Sequence, residues 1–138
     1  MAVNAYVNFK GNCREAVEFY AAAFGVDVPE LMTYGEVPPE SGIDVSDTQK
    51  NLIKHASLHV WGGTIMFADV SSPASFVEGN NISLMIITNN MSEVKPIFDK
   101  LKVGGTVIEE LQETFWSKCY GIVKDKFGVE WRIMYAEK

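Results

Sequence analysis

Residues 114–133, TFWSKCYGIVKDKFGVEWRI, form the stretch that identifies the architecture of this chain most clearly. Two β-prone arms flank the segment KDKFG, and this pattern predicts a β-hairpin with KDKFG as its tip. The arms carry Trp116, Tyr120, Trp131 and Arg132. Aromatic side chains with polar ends beside a cation can form the wall of a pocket for a small polar molecule. The hairpin is therefore the first candidate for a binding site.

The first half of the chain predicts a strand followed by a helix. Residues 2–10 alternate between apolar and polar side chains, which is typical of a half-buried strand. Asn12 and Glu15 have the spacing of a capping box at a helix N-terminus, and Gly25 is a plausible C-cap. The apolar positions at helical spacing are Cys13, Ala16, Val17, Tyr20 and Phe24.

The second half repeats this pattern. Residues 82–88 are an apolar, β-prone run, and Asn90 or Ser92 is placed to cap the helix that follows. We expect Pro96 in the first turn of this helix, where a missing N–H is tolerated. Gly104 and Gly105 end it. Three further strands are predicted over 106–111, 119–124 and 129–135.

Between the two helices, the first half contains segments that correspond to the three strands predicted after the second helix. Residues 27–34 are a possible strand, and 55–61 with 64–70 predict a hairpin that turns at Gly62 and Gly63. Residues 35–50 form a long polar segment. A loop of that length is either functional, such as a lid over a pocket, or a flexible insertion.

These elements predict an α+β fold made of two βαβββ modules. The modules cover residues 1–70 and 82–138, with 71–81 as a linker, and together they form one domain over 1–138. Each module buries one sheet face under its helix. Two such sheets placed edge to edge would form a cupped, barrel-like mixed sheet, and a concave surface of this kind is where ligands bind.

The composition excludes several classes of function. Hydrophobic residues make up 47% and charged residues 22% of the 138, which are ordinary values for a globular protein. The net charge of −6 argues against nucleic acid as a partner, because phosphate binding requires a basic surface. Neither a membrane span nor a signal peptide is evident, so the expected localisation is cytoplasmic.

The two cysteines, Cys13 and Cys119, stand far apart and outside any metal-ligand spacing. A reduced, structural pair is the simpler interpretation. A redox role would require a lowered thiol pKa, for which Lys118 beside Cys119 is slight support.

Three segments together resemble the PhnB-like proteins. They are FKGNCREAVEFYAAAFG at 9–25, HASLHVWGGTIMFAD at 55–69 and FWSKCYGIVKDKFGVEWRI at 115–133. PhnB-like proteins belong to the vicinal oxygen chelate superfamily, together with glyoxalase I, bleomycin resistance proteins and extradiol dioxygenases. The resemblance covers nearly the whole chain and implies the paired-module fold and a homodimer. It leaves the reaction open, because one fold supports many activities.

Metal enzymes of this superfamily hold a divalent cation with His and Glu side chains from the first and last strands of each module. The resemblance places four segments of this chain at those positions. Their residues are Ala5 and Tyr6; Met66, Phe67 and Asp69; Ile82, Ser83 and Met85; and Glu130, Trp131 and Arg132. Most of these side chains are poor ligands for such a cation, and Arg132 would repel it. We therefore expect the superfamily's metal site, and any metal cofactor, to be absent.

His55 and His59 are the only histidines, and they lie four positions apart within a predicted strand. They therefore share a face but stand too far apart to chelate one ion. One interpretation gives them structural hydrogen bonds. In another, one of them shuttles a proton in the cavity. In a third, one binds a metal together with Asp69 or Glu130.

Trp131 and Arg132 point to opposite faces of their strand, and the sequence does not decide which faces the cavity. If Trp131 is in the core, then Arg132 faces the ligand, where it could bind a carboxylate or phosphonate. The reverse makes Trp131 a stacking surface. The complete set of ligand-binding candidates is His55, His59, Met66, Trp116, Tyr120, Trp131 and Arg132.

Three functional hypotheses follow. The first is a metal-free protein that binds a small polar or anionic molecule. The second is a metal-dependent lyase, isomerase or dioxygenase, which would need at least two of His55, His59, Asp69, Glu109 and Glu130 to converge. The third arises from family naming, because PhnB-like sequences are often called 3-demethylubiquinone-9 3-methyltransferases. The glycine-rich turn expected to hold S-adenosylmethionine is missing from the sequence.

Overall fold

The computed structural model describes residues 1–36, 49–71, 74 and 76–137. The chain forms two compact units, Met1–Phe76 and Val77–Lys138, and each has the predicted α+β composition. Most of the long polar segment predicted at 35–50 lies outside the described residues, as do 72, 73 and 75 of the predicted linker.

The first unit has these elements: β1 Ala5–Phe9, α1 Cys13–Phe24, β2 Met32–Thr33, a 3-10 turn Tyr34–Glu36, β3 Ile53–Val60 and β4 Gly63–Asp69. The second unit has β5 Leu84–Thr88, α2 Met91–Leu101, β6 Thr106–Gln112, β7 Tyr120–Lys124 and β8 Glu130–Tyr135. The two predicted βαβββ modules are therefore confirmed.

Both sheets follow one plan. Their strand orders are β1-β4-β3-β2 and β5-β8-β7-β6, and in each the first and last strands of the unit form a parallel pair, with the first strand at the edge of the sheet. The helix packs on one face of its own sheet. We call the opposite face the outer face. Because side chains alternate along a strand, every second residue of the parallel pair points to the outer face.

A buried carboxylate connects three segments of the first unit. Asp69, at the end of β4, is 2% exposed. Its Oδ1 accepts hydrogen bonds from the backbone N–H groups of Gly11 (2.8 Å) and Cys13 (3.0 Å). Its Oδ2 accepts one from the N–H of Ile53 (2.9 Å). The side chain thus holds the β1–α1 turn and the start of β3 against the end of β4.

This arrangement corrects the predicted cap of α1. The side chain of Asn12 makes no capping hydrogen bond, and Asp69 accepts from the first N–H of the helix instead. The negative charge also interacts favourably with the helix dipole. The C-cap prediction is confirmed, because Gly25 has the left-handed φ of 71°.

Three local predictions were wrong. The β3–β4 hairpin turns at Trp61 and Gly62, both with positive φ, one residue earlier than expected. Trp61 tolerates this conformation while its ring packs on Phe24, with centroids 5.1 Å apart. Pro96 lies in the interior of α2 and not in its first turn, because Asn90 caps the helix through the N–H of Ser92.

The third correction concerns residues 27–34, where the only strand is the two-residue β2 at Met32–Thr33. It ends in the 3-10 turn, and the Tyr34 hydroxyl donates to the carbonyl of Asp69 (2.9 Å). In the part of the chain that the structure describes, neither helix has the length and apolar character needed to cross a membrane.

We expect Asp69→Asn to lower the free energy of unfolding by about 2–4 kcal/mol, because the amide removes the charge and keeps one acceptor oxygen, so its NH₂ group faces the backbone donors of the oxygen it replaces. Equilibrium unfolding in urea measures this. Asp99→Asn is the matched control, since Asp99 is exposed and its ion pairs with Lys95 and Lys102 lie at the surface. That change should cost less than about 1 kcal/mol. Equal losses in the two variants would contradict the role of Asp69.

Candidate functional site

Asp125 fixes the conformation of the hairpin tip. It is 3% exposed, and its Oδ1 accepts from the backbone N–H groups of Phe127 (2.8 Å) and Val129 (3.1 Å). Its Oδ2 accepts from the indole N–H of Trp131 (2.8 Å). Gly128, with a φ of 90°, completes the turn. A single carboxylate therefore connects the turn to a side chain of β8.

The alternative between Trp131 and Arg132 is decided by this hydrogen bond. Trp131 is 1% exposed and lies in the core of the second unit. We therefore correct its place among the ligand-binding candidates, because a fully buried ring with its N–H already bonded to Asp125 has no surface for a ligand. Arg132 points to the outer face, where it pairs with Met85 on β5 and Ile122 on β7.

Arg132 is the centre of a polar group that we call the arginine cluster, formed with Ser83, Tyr120 and Glu130. Its Nε donates to the Ser83 hydroxyl (2.9 Å), and its Nη1 donates to the Tyr120 hydroxyl. The Nη2 atom lies 3.8 Å from a Glu130 oxygen, beyond hydrogen-bond distance. The Arg132 side chain is 40% exposed. A guanidinium has five N–H donors, so these contacts hold it in place and leave donors for a ligand.

Trp116 extends this surface with an aromatic side chain. Its ring is 53% exposed and stands edge-on to Tyr120, with centroids 5.4 Å apart. Trp116 also lines a cleft of about 460 Å³ formed by residues 113–118 and 135–137. The cleft contains Glu113, Glu137 and only one cation, Lys118, which is paired with Glu137 at 2.9 Å. Its charge therefore disfavours anions, and the positive end of this surface is Arg132.

The remaining candidates lie on the outer face of the first unit. Met66 on β4 is half-buried between Tyr6 on β1 and Ser57 on β3. His55 shares this face and is hydrogen-bonded to both Tyr6 and Ser57. His59 is exposed, and its Nδ1 pairs with the Thr64 hydroxyl (3.0 Å). The structure thus places His55 beside Met66, whereas His59 lies near the turn of the β3–β4 hairpin and bonds to Thr64 there.

The side chains at the positions that the resemblance assigns to a metal site do not fit a divalent cation. In the first unit these outer-face positions hold Tyr6 beside Met66, and in the second Met85 beside Arg132. A neutral phenol, two thioethers and a guanidinium are poor partners for Zn, Ni, Fe or Mn. Both oxygens of Asp69 are engaged by backbone donors. Within 1–36, 49–71, 74 and 76–137, no three His, Cys, Asp or Glu side chains are grouped to hold a metal.

Neither cysteine is activated. Cys13 is fully buried, and burial together with the nearby Asp69 carboxylate raises the pKa of its thiol to about 12. Burial also raises the pKa of the Cys119 thiol. A reactive cysteine needs a lowered pKa, so this result favours the structural interpretation of both thiols.

Several side chains of these surfaces were not among the sequence-derived candidates. Ser57 could have been found, because it lies between His55 and His59 at strand spacing and so shares their face. Ser83 could not have been found this way, since it precedes β5 and reaches Arg132 only through tertiary structure.

Comparisons with known proteins agree along the whole chain. The family model of the glyoxalase/bleomycin resistance protein/dioxygenase superfamily matches residues 3–133. Protein YjdN of Escherichia coli K12 is 32% identical, with 96% of this chain and 94% of that protein aligned. The crystal structure of PA1353 from Pseudomonas aeruginosa has a TM-score of 0.85 at 29% identity, covering 98% of this chain and 97% of that one.

A PhnB protein from Bacillus cereus, for which the name 3-demethylubiquinone-9 3-methyltransferase has been suggested, has a TM-score of 0.76 at 24% identity. The match covers 99% of this chain and 100% of that one. At this identity the likeness shows the fold alone.

Because the pKa of the Cys13 thiol is raised in the folded state, the stability of the protein should fall at alkaline pH. The folded thiol holds its proton more strongly than the unfolded one, so its contribution is complete below pH 9 and is lost as the pH rises toward 12. We expect the free energy of unfolding to fall by roughly 1 kcal/mol per pH unit in this window. Urea titrations at pH 8, 9 and 10 measure it. Cys13→Ser should flatten the dependence more than Cys119→Ser; equal slopes in all three proteins would refute the assignment.

Proposed function

Because the chain belongs to the glyoxalase/bleomycin resistance protein/dioxygenase superfamily, we propose that it binds a small anionic molecule at the arginine cluster, without the superfamily's metal ion. The observation that carries the proposal is Arg132 on the outer face of β8, near the position where the resemblance implies that metal enzymes of the superfamily keep a carboxylate. A guanidinium at this position replaces a cation-binding site with an anion-binding site.

The guanidinium is held ready for such a ligand. Ser83 and Tyr120 accept from Nε and Nη1, which fixes the plane of the group without using the donors of Nη2. Arginine binds carboxylates and phosphonates through two parallel N–H···O bonds, and a fixed plane reduces the entropy lost on binding. The cluster is therefore suited to a planar or tetrahedral anionic group.

The surroundings of the cluster favour a ligand that also has an apolar part. Met85, directly beside Arg132 on β5, is 45% exposed, and Ile87 on the same face is 50% exposed. Trp116 contributes a half-exposed indole next to Tyr120. An aromatic or aliphatic carboxylate could place its charge on Arg132 and its body on these side chains.

Glu130 competes with such a ligand. Its carboxylate lies 3.8 Å from Nη2 and is 20% exposed. It neutralises part of the charge of Arg132 without forming a hydrogen bond, so a ligand with better geometry can bind, although it must overcome repulsion from Glu130. Removing the charge of Glu130 should therefore strengthen binding.

We expect benzoate to bind and its neutral isostere benzamide not to bind, measured by calorimetry at low salt. Arg132→Lys retains the charge but loses the two-pronged donor geometry and should weaken benzoate binding about tenfold or more. Glu130→Gln should strengthen it about two- to fivefold. Arg14→Lys is the control, since Arg14 is the other arginine of the sequence and lies exposed on α1.

Equal affinity for benzoate and benzamide would contradict an anion site. Unchanged benzoate binding in Arg132→Lys would place the anion elsewhere. A panel with methylphosphonate and inorganic phosphate then distinguishes a preference for planar from tetrahedral anions.

We also expect Zn²⁺, Ni²⁺ or Mn²⁺ to shift the Tm of the protein by less than about 1 °C, because a bound metal would stabilise the folded state by mass action. Protein treated with a chelator is compared with metal-loaded protein by differential scanning calorimetry. A rise of several degrees, with metal retained in stoichiometric amount after dialysis, would instead support a metal-dependent lyase, isomerase or dioxygenase.

The name 3-demethylubiquinone-9 3-methyltransferase gains no support from this chain. The glycine pair Gly104–Gly105 follows α2 and leads into β6, whereas a nucleotide-binding turn leads from a strand into a helix. From the family we also propose that the protein is a cytoplasmic homodimer.

A further inference from the structure

We propose that Ser57, His55 and Tyr6 form a nucleophile–base–orienter relay on the outer face of the first unit, able to attack a small activated acyl or phosphoryl ester. The proposal rests on these three side chains and does not depend on the anion site of the second unit. We call these three side chains the relay.

The geometry of the relay follows from the register of the sheet. Tyr6 on β1 pairs with Met66 on β4, and Met66 pairs with Ser57 on β3, so these residues stand side by side on one face. His55 lies two residues before Ser57 and therefore on the same face. The imidazole is thus placed between a hydroxyl from its own strand and a phenol from β1.

Both imidazole nitrogens have a partner. Nε2 of His55 lies 3.2 Å from the Ser57 hydroxyl oxygen, and Nδ1 lies 3.2 Å from the Tyr6 hydroxyl oxygen. The rings of Tyr6 and His55 are tilted by 50°, with centroids 5.9 Å apart. A nucleophile within hydrogen-bond reach of a base, with the base oriented by a third group, is the general arrangement of covalent catalysis.

The tautomer decides whether Ser57 is activated. When Nδ1 carries the proton and donates it to the Tyr6 oxygen, Nε2 is free to accept from the Ser57 hydroxyl. Burial raises the pKa of the Tyr6 hydroxyl above its usual value, so the phenol stays neutral near pH 7 and can accept this bond. The other tautomer satisfies the same three groups but leaves Ser57 as an acceptor.

Tyr6 extends the relay to a cleft that can receive part of a substrate. Tyr6 and Asn8 from β1, with Tyr34 and Lys54, line a space of about 350 Å³ at the end of β4, and His55 and Ser57 lie outside its lining. Tyr6 is 46% exposed, and His55 and Ser57 are half-buried, so all three are accessible within the unit. Lys54, next to His55 in the sequence, gives this cleft a positive charge.

A fluorophosphonate probe tests this chemistry directly. The Ser57 oxygen forms a bond to phosphorus, the phosphorus–fluorine bond breaks, fluoride leaves, and the serine proton moves to Nε2 of His55. We expect peptide mass mapping of the treated protein to find the adduct on Ser57. The labelling rate should depend on His55, because the imidazole accepts the serine proton as the base.

Variants separate the roles of the three residues. Ser57→Ala should abolish the adduct, His55→Asn should slow labelling at least about tenfold, and Tyr6→Phe should slow it several-fold. His59→Asn is the matched control, since His59 pairs with Thr64 and should change the rate less than about twofold. Lys54→Met is a second control, because Lys54 lines the cleft beside Tyr6 and its loss should change the rate less than the loss of His55.

Two outcomes would overturn the proposal. They are an adduct absent from Ser57, or a rate in His55→Asn equal to that of the unchanged protein. Circular dichroism of each variant confirms that it is folded. If His55→Asn does not fold, the rate of Tyr6→Phe decides the question, and a rate equal to that of the unchanged protein would then overturn the proposal. Benzoate binding at Arg132 can succeed or fail independently of this result.

Discussion

The hydrogen bonds of the buried Asp125 carboxylate determine which side chains of β8 point to the outer face of the second unit. By accepting from two backbone N–H groups and from the indole of Trp131, Asp125 sets the turn and pulls Trp131 to the helix side of the sheet. Since neighbouring residues of a strand point to opposite faces, Arg132 must then point to the outer face. The identity of the exposed cation at the candidate site is thus a consequence of a contact in the core.

Asp69 has the corresponding role in the first unit, where it lies at the end of β4 and not in a hairpin turn. It holds the start of α1 and the start of β3 at the end of β4, and so fixes the register in which β1, β4 and β3 lie side by side. That register brings Tyr6, Met66 and Ser57 into one row. In both units a buried carboxylate that accepts hydrogen bonds from backbone N–H groups positions the outer face.

The sequence predicted the order of elements well because strand alternation and helix spacing are local patterns. The prediction failed where a residue distant in the sequence makes a hydrogen bond that was expected from a neighbouring residue. Asn12 has the right chemistry for an N-cap, yet Asp69, 57 positions later in the sequence, takes that place. The same limit applies to the site. The sequence indicated that Trp131 and Arg132 face opposite ways, but which way depended on Asp125, whose bond to the indole is tertiary.

The two outer faces show how one backbone plan can present two different sets of side chains. In each unit the parallel strand pair offers two neighbouring outer-face positions. Here they hold Tyr6 with Met66, and Met85 with Arg132. The first pair adjoins an imidazole with two hydroxyl partners, whereas the second presents a fixed guanidinium. Since the backbone geometry is shared and the side chains differ, the chemistry of each face follows from its own few residues and not from the fold.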